Sequence, residues 1–214
     1  MPGIKIKICG LRRIEDIEYA NMLMPDYTGF ILAEGFRRSI TRKQAENFAA
    51  RLDSRIKRAG VFVNQPEHVV ADYVNSGIIQ YVQLHGDEDN NYIYKLGKCI
   101  HKEYKVIKTV KARCAKNIEM AAGYKCDYLL FDAYSPGQAG GSGVAFDWTL
   151  VKNINKPFFL AGGISASNVK EAVELVKPYA VDASSSMETD GFKDFNKMKE
   201  FVGVIRKMEV KSEK

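Results

Sequence analysis

Short apolar, β-branched runs alternate along the chain with stretches whose apolar residues recur every three or four positions. The runs cover residues 4–9, 28–33, 58–63, 79–84, 105–110, 128–132, 157–161 and 180–183. Each is strand-sized and apolar along most of its length, as strands buried on both faces are. Between them, Ile14, Ile17, Ala20 and Leu23 fall at three-residue steps. Thr41 is placed to cap a helix over 42–52, with Ala45, Phe48, Ala49 and Leu52 on one face. Pro66 suits the first turn of a helix over 67–75, and Asp87 can cap one over 88–96. Ser165 or Ser167 can start a helix over 168–176, and a last helix spans 193–208. Strand starts recur at steps of about 25 residues, the size of one strand-helix unit, and eight units fit a closed barrel. An open doubly wound sheet usually carries about five or six strands. The expectation is an α/β protein of one domain, a (β/α)8 TIM barrel over 1–208, followed by a polar tail at 209–214.

Composition narrows the class. The 214 residues are 46% hydrophobic and 27% charged, values of a soluble globular protein long enough to bury its own core. No apolar run approaches the roughly 18 residues of a membrane span. Lys5 and Lys7 interrupt the first apolar run, which leaves no signal-peptide core. The cysteines at 9, 99, 114 and 126 match no zinc or redox spacing and read as reduced thiols of a cytoplasmic protein. Thirty-two Lys and Arg against 26 Asp and Glu leave a net charge of +6. They are spread along the chain with no basic block, which reads as a solvated surface rather than a nucleic-acid face. No His, Asp or Glu cluster has metal-ligand spacing, so no metal is expected.

A barrel places its chemistry at the C-terminal ends of its strands. Asp132 ends the run 128–132, where a partly desolvated carboxylate suits a general acid; capping of the next loop is an equal alternative. Cys9 ends the first run, just before Gly10. A thiol there serves as a base if positive charge stabilises its thiolate, and is otherwise an inert buried cysteine. Cys99, Cys114 and Cys126 read as inert. Gly162-Gly163 and Ser184-Ser185-Ser186 follow the last two runs, where barrels often bind phosphate on backbone N–H groups. The glycine-rich stretch 137–143 sits in a loop of about 15 residues after Asp132, either a lid or a plain connection. No Lys follows its last glycine, so it is not a Walker loop. His85 follows the fourth run directly, while His68 and His101 read as surface residues.

Taken in order, these strand ends resemble the phosphoribosylanthranilate isomerases along nearly the whole chain. The resemblance rests on Lys7-Ile8-Cys9-Gly10-Leu11, Gly60-Val61-Phe62-Val63-Asn64, Val82-Gln83-Leu84-His85-Gly86 and Leu129-Leu130-Phe131-Asp132. It continues through Gly140-Gly141-Ser142-Gly143 with Phe146-Asp147-Trp148, Leu160-Ala161-Gly162-Gly163-Ile164 with Asn168-Val169, and Val181-Asp182-Ala183-Ser184-Ser185 with Glu188. It implies an Amadori rearrangement of N-(5-phosphoribosyl)anthranilate to 1-(2-carboxyphenylamino)-1-deoxyribulose 5-phosphate in tryptophan biosynthesis, without a cofactor. The family's general base falls on Cys9 and its general acid on Asp132. Gln83 and His85 are implied to line the site, and Gly162, Gly163, Ser184, Ser185 and Ser186 to hold the phosphate. An arginine after the second strand is implied for the anthranilate carboxylate. Arg38 aligns best, with Ile40 two residues after it; Phe36 replaces the family's serine, and Arg37 is the other option. Ser186 stands where the family has glycine.

The partner implied is a small phosphosugar anthranilate, with neither nucleic acid nor membrane, for a monomer or homodimer. A ribulose-phosphate epimerase would want paired aspartates and metal-binding histidines at these ends. An indole-glycerol-phosphate synthase would want lysines and glutamates, of which Lys108 and Glu34 are a thin version.

Overall fold

Eight parallel strands pair in sequence order, and the eighth pairs back onto the first. They are β1 (Lys5–Cys9), β2 (Tyr27–Ile31), β3 (Lys57–Phe62), β4 (Tyr81–Leu84), β5 (Lys105–Lys111), β6 (Tyr128–Asp132), β7 (Phe158–Leu160) and β8 (Ala180–Ala183). The computed structural model describes residues 3–112, 115–132, 147–152 and 154–212. The closed barrel expected from the repeat is what forms. Cys114, the glycine-rich stretch 137–143 and the expected lid 133–147, apart from Asp147, lie outside the described residues.

The helices packed outside are α1 (Ile14–Leu23), α2 (Arg42–Arg51), α3 (Glu67–Asn75), α4 (Asn90–Cys99), α5 (Ala115–Ala121), α6 (Val169–Val176) and α7 (Phe195–Ser212). Thr41 and Gln44 close a capping box on α2, side chain to backbone in both directions at 3.3 and 2.8 Å. Two expected starts move. Asp89, not Asp87, caps α4 by accepting from Tyr92 N at 2.8 Å. Asp87 is held in the preceding turn, its N–H on Asn64 Oδ1. Asn168 rather than a serine precedes α6. Its side chain accepts from Ser165 N and donates to the Gly163 carbonyl, pinning the β7–α6 loop. The helix expected over 193–208 starts later and runs through the supposed tail as far as Ser212. A 3-10 helix at Trp148–Val151 precedes β7.

One element was not expected. Between β8 and α7 the chain forms an antiparallel hairpin, β9 (Glu188–Thr189) and β10 (Phe192–Lys193). Asp190 and Gly191 make its turn with φ of 51° and 79°, the left-handed pair that an Asp-Gly hairpin turn requires.

The barrel interior is graded from end to end. Tyr27, Tyr81 and Tyr128 open strands β2, β4 and β6, and Tyr179 immediately precedes β8. Alternate strands thus supply one layer of side chains, as barrels do. The four rings meet each other and Phe159 edge-on or tilted at 4.9–6.2 Å, and the Tyr27 and Tyr179 hydroxyls lie 2.7 Å apart. Ile107, Leu130 and Phe159 pack against these rings inside the barrel. Polar side chains occupy the other end.

Candidate active site

Side chains alternate along a strand, so Lys7 and Cys9 of β1 point the same way. Lys7 is fully buried, and its Nζ donates to Asp182 Oδ2 across the β1–β8 seam at 2.7 Å. Asp182 Oδ1 is buried with no partner among the described residues. Cys9 Sγ lies against Gly29 of β2, where an added Cβ would come within 2.5 Å of it. Burial, with Asp182 adding to it, raises the Cys9 thiol above its ordinary value, and the Lys7 and Lys193 cations offset only part of this. Burial works against the Lys7 charge, but Asp182 and Cys9 outweigh it and hold its pKa above the ordinary lysine value.

Asp132 ends β6 at the same mouth. Burial, then the charge of Asp182, push its carboxyl up to about 6 against the pull of Lys7 and Lys111. His85 Nε2 lies 3.7 Å from Asp132 Oδ2. Burial, with Lys7 and Lys111 adding to it, brings the imidazole down to about 4. At neutral pH His85 is therefore uncharged, and the group poised to carry a proton is the carboxyl. Gln83 is buried beside them, its Nε2 3.4 Å from His85 Nδ1 and 3.5 Å from Thr109 Oγ1. Cys9 and Asp132 both feel Lys7 and Asp182.

The loops after β7 and β8 lie beside each other. Gly162 and Gly163 take φ of 78° and 72°, which a side chain would resist. Ser186 Oγ donates to the Ile164 carbonyl at 2.5 Å and joins the two loops. Ser186 is not among the residues with positive φ, so a side chain fits where glycine was expected. Ser184 Oγ donates to the Cys9 carbonyl at 2.9 Å. The backbone N–H groups of Gly162, Gly163, Ser184, Ser185 and Ser186 donate to no group among the described residues. Five orphan donors around one rim invite an anion.

Arg38 stands against Gly10, the residue after Cys9. Its side chain lies over Gly10, where a Cβ would come within 2.7 Å of Arg38 Cδ and 3.3 Å of Ser184 Oγ. Nε and Nη2 of Arg38 reach the two oxygens of Glu188 at 2.6 and 2.9 Å. Glu188 also takes Lys193 Nζ at 2.9 Å and Arg37 Nη2 at 3.0 Å. Burial would raise its pKa, but Arg38 and Lys193 bring it down to about 2. The Arg37 side chain is 57% exposed against 18% for Arg38.

Residues 6–204 match the family model described as N-(5'-phosphoribosyl)anthranilate (PRA) isomerase. The chain belongs to this isomerase family. An N-(5'-phosphoribosyl)anthranilate isomerase from Caldanaerobacter subterraneus subsp. tengcongensis is 43% identical over 205 residues, covering 95% of this chain and 98% of that one. The phosphoribosyl anthranilate isomerase of Thermotoga maritima superposes with a TM-score of 0.86 at 31% identity, over 95% and 99% of the two chains. A phosphoribosyl anthranilate isomerase solved with reduced 1-(o-carboxyphenylamino)-1-deoxyribulose 5-phosphate superposes with a TM-score of 0.82 at 30% identity, over 95% and 99%.

The expected residues of this family member come together at the barrel mouth, but four that shape it had been given no role: Lys7, Asp182 and Glu188, quoted only for the resemblance, and Lys193. A lysine inside an apolar strand two residues before Cys9 was the available signal for Lys7, since alternation puts it on the thiol's face. Nothing local announces Lys193, because its partners lie across a hairpin and a neighbouring loop. Lys108 is not a catalytic lysine of the synthase kind. Its buried Nζ is spent on Glu88 Oε2 and the Gly86 carbonyl at 2.9 and 2.7 Å. Glu88 in turn holds the N–H groups of Asn64 and Gly86, fixing the turn that follows His85. Among the described residues, no helix is long and apolar enough to cross a membrane.

Proposed function

We propose that this isomerase carries out its reaction with Cys9 as general base and Asp132 as general acid. The observation that carries the reading is that both stand at one barrel mouth with the Lys7–Asp182 pair between their fields. The chain converts N-(5'-phosphoribosyl)anthranilate into 1-(2-carboxyphenylamino)-1-deoxyribulose 5-phosphate, a step of tryptophan biosynthesis. Asp132 gives its proton to the ribose ring oxygen as the bond from that oxygen to C1′ breaks. The anthranilate nitrogen supplies the electron pair, and a protonated Schiff base forms. Its positive charge acidifies C2′–H, and the Cys9 thiolate removes that proton. The electrons return to nitrogen, and the resulting enolamine tautomerises to the ketone. A carboxyl held near 6 is protonated in about one molecule in ten at pH 7, far more often than an ordinary aspartate.

The phosphate sits on the orphan N–H groups of Gly162, Gly163, Ser184, Ser185 and Ser186. Arg38 takes the anthranilate carboxylate; its place over Gly10, next to Cys9, favours it over the more exposed Arg37. Gln83 and His85 line the wall beside Asp132. The partner is the small anionic substrate. We place the enzyme in the cytoplasm as a monomer or homodimer, a setting that suits the free thiols of Cys9, Cys99 and Cys126.

Substrate fluorescence tests this reading. Anthranilate emission of freshly prepared substrate is expected to fall on adding the protein, and Arg38→Met to raise KM more than it lowers kcat. If Arg37→Met alone raises KM, the carboxylate belongs to Arg37.

A further inference from the structure

The carboxylate that Arg38 forks comes from the β9–β10 hairpin, an addition to the strand-helix repeat. Glu188 and Lys193 face each other across it in register, and both side chains are buried, at 5% and 1% exposure. Lys193 Nζ also donates to the Ser184 carbonyl at 2.9 Å, tying the hairpin to the loop after β8. On its outer side Phe192 lies under the guanidinium groups of Arg12 and Arg13 at 4.3 and 4.5 Å, and Arg13 Nη2 donates to the Lys193 carbonyl at 2.9 Å. The hairpin is thus braced from both sides.

A guanidinium offers two edges for forked hydrogen bonding, one through Nε and Nη2 and one through Nη1 and Nη2. Glu188 occupies the first edge with both its oxygens. Among the described residues Nη1 makes no hydrogen bond, which leaves the second edge for a second carboxylate. Charge favours the same division. Arg37, Arg38 and Lys193 gather around the one carboxylate of Glu188. Three cations and one anion leave the cluster net positive after Glu188 is counted.

We infer that Glu188, held by Lys193 on the hairpin, is a positioning residue that locks Arg38 by its Nε–Nη2 edge so that the Nη1–Nη2 edge meets the substrate carboxylate. The inference rests on the reading of Arg38 given above. Without the lock, the arginine stem samples several rotamers, and fixing it costs binding free energy each time substrate arrives.

The test compares two substrates, N-(5'-phosphoribosyl)anthranilate and the aniline analogue that lacks the carboxylate. The quantity read is the ratio of their kcat/KM values. Wild type is expected to prefer the carboxylate-bearing substrate. Glu188→Gln is expected to lower that preference about fivefold or more, a coupling typical of groups in direct contact, through KM more than kcat. Glu188→Gln leaves a buried lysine without its counter-charge. The double variant Glu188→Gln with Lys193→Met removes both charges of the pair, and a thermal melt checks its fold. The same loss of preference there supports the lock. An equal loss on both substrates, with the preference intact, overturns it while leaving the Arg38 reading in place. A wild type indifferent to the carboxylate overturns the Arg38 reading itself, and the lock with it.

Discussion

The two ends of the barrel are built from opposite chemistry on the same strands. At the entry end of β2, β4, β6 and β8, four tyrosines and Phe159 close the interior with rings, the Tyr27 and Tyr179 hydroxyls paired. At the exit end, the interior holds Lys7, Cys9, Gln83, Asp132 and Asp182, with one buried oxygen of Asp182 and one of Gln83 unmatched among the described residues. Burying unmatched polar atoms costs stability, and burying a charge beside a thiol costs more. The aromatic end offsets that cost by packing. A polar end can be tuned for proton transfer because the other end does not depend on it.

Substitutions at the two ends should therefore separate activity from stability. The largest effect is expected at the mouth. Cys9→Ala and Asp132→Asn should each lower kcat by about 10²–10⁴-fold, measured in steady state, with cooperative thermal melts that show the fold intact. Unchanged turnover in either variant removes that residue from the proton path. At the closed end Phe159→Ala should cost about 3–5 kcal/mol in denaturant unfolding, while the folded fraction keeps wild-type KM. A raised KM there would mean that the two ends are mechanically coupled.

The smallest effect is in pH. As the proposed general acid, Asp132 would act in its protonated form, and its folded pKa is raised to about 6. The acid-dependent limb of kcat/KM should therefore fall as pH rises through about 6, and Asp132→Asn should lack that limb. The same shift has a sign for stability. A carboxyl that holds its proton more tightly when folded favours the fold at low pH. That contribution is lost as pH climbs from the ordinary aspartate value through about 6. Asp132→Asn should flatten this loss, about 2–3 kcal/mol, in melts from pH 4 to 8.

The barrel was legible because its eight apolar runs recur at an even step and buried parallel strands carry no competing pattern. Boundaries were less so. Ile79 is apolar and buried but lies in the turn before β4, its N–H on the Tyr73 carbonyl. Of the groups at the barrel mouth, those at the last residue of a strand or in the following turn could be placed there: Cys9, Asp132, His85 and the loops 162–163 and 184–186. What depends on registering distant strands could not. Lys7 is a strand lysine until Asp182 is placed opposite it, and Glu188 is a loop acid until a two-residue hairpin turns it toward Arg38.

The pairing of Lys7 with Asp182 joins residues 175 apart in the chain, at the place where the last strand meets the first. Contacts so far apart are entropically the slowest to form. During refolding from denaturant, catalysis should return only when the ring shuts. Turnover is in this molecule a gauge of completed folding, and a chain lacking β8 should be as inert as one lacking its thiol.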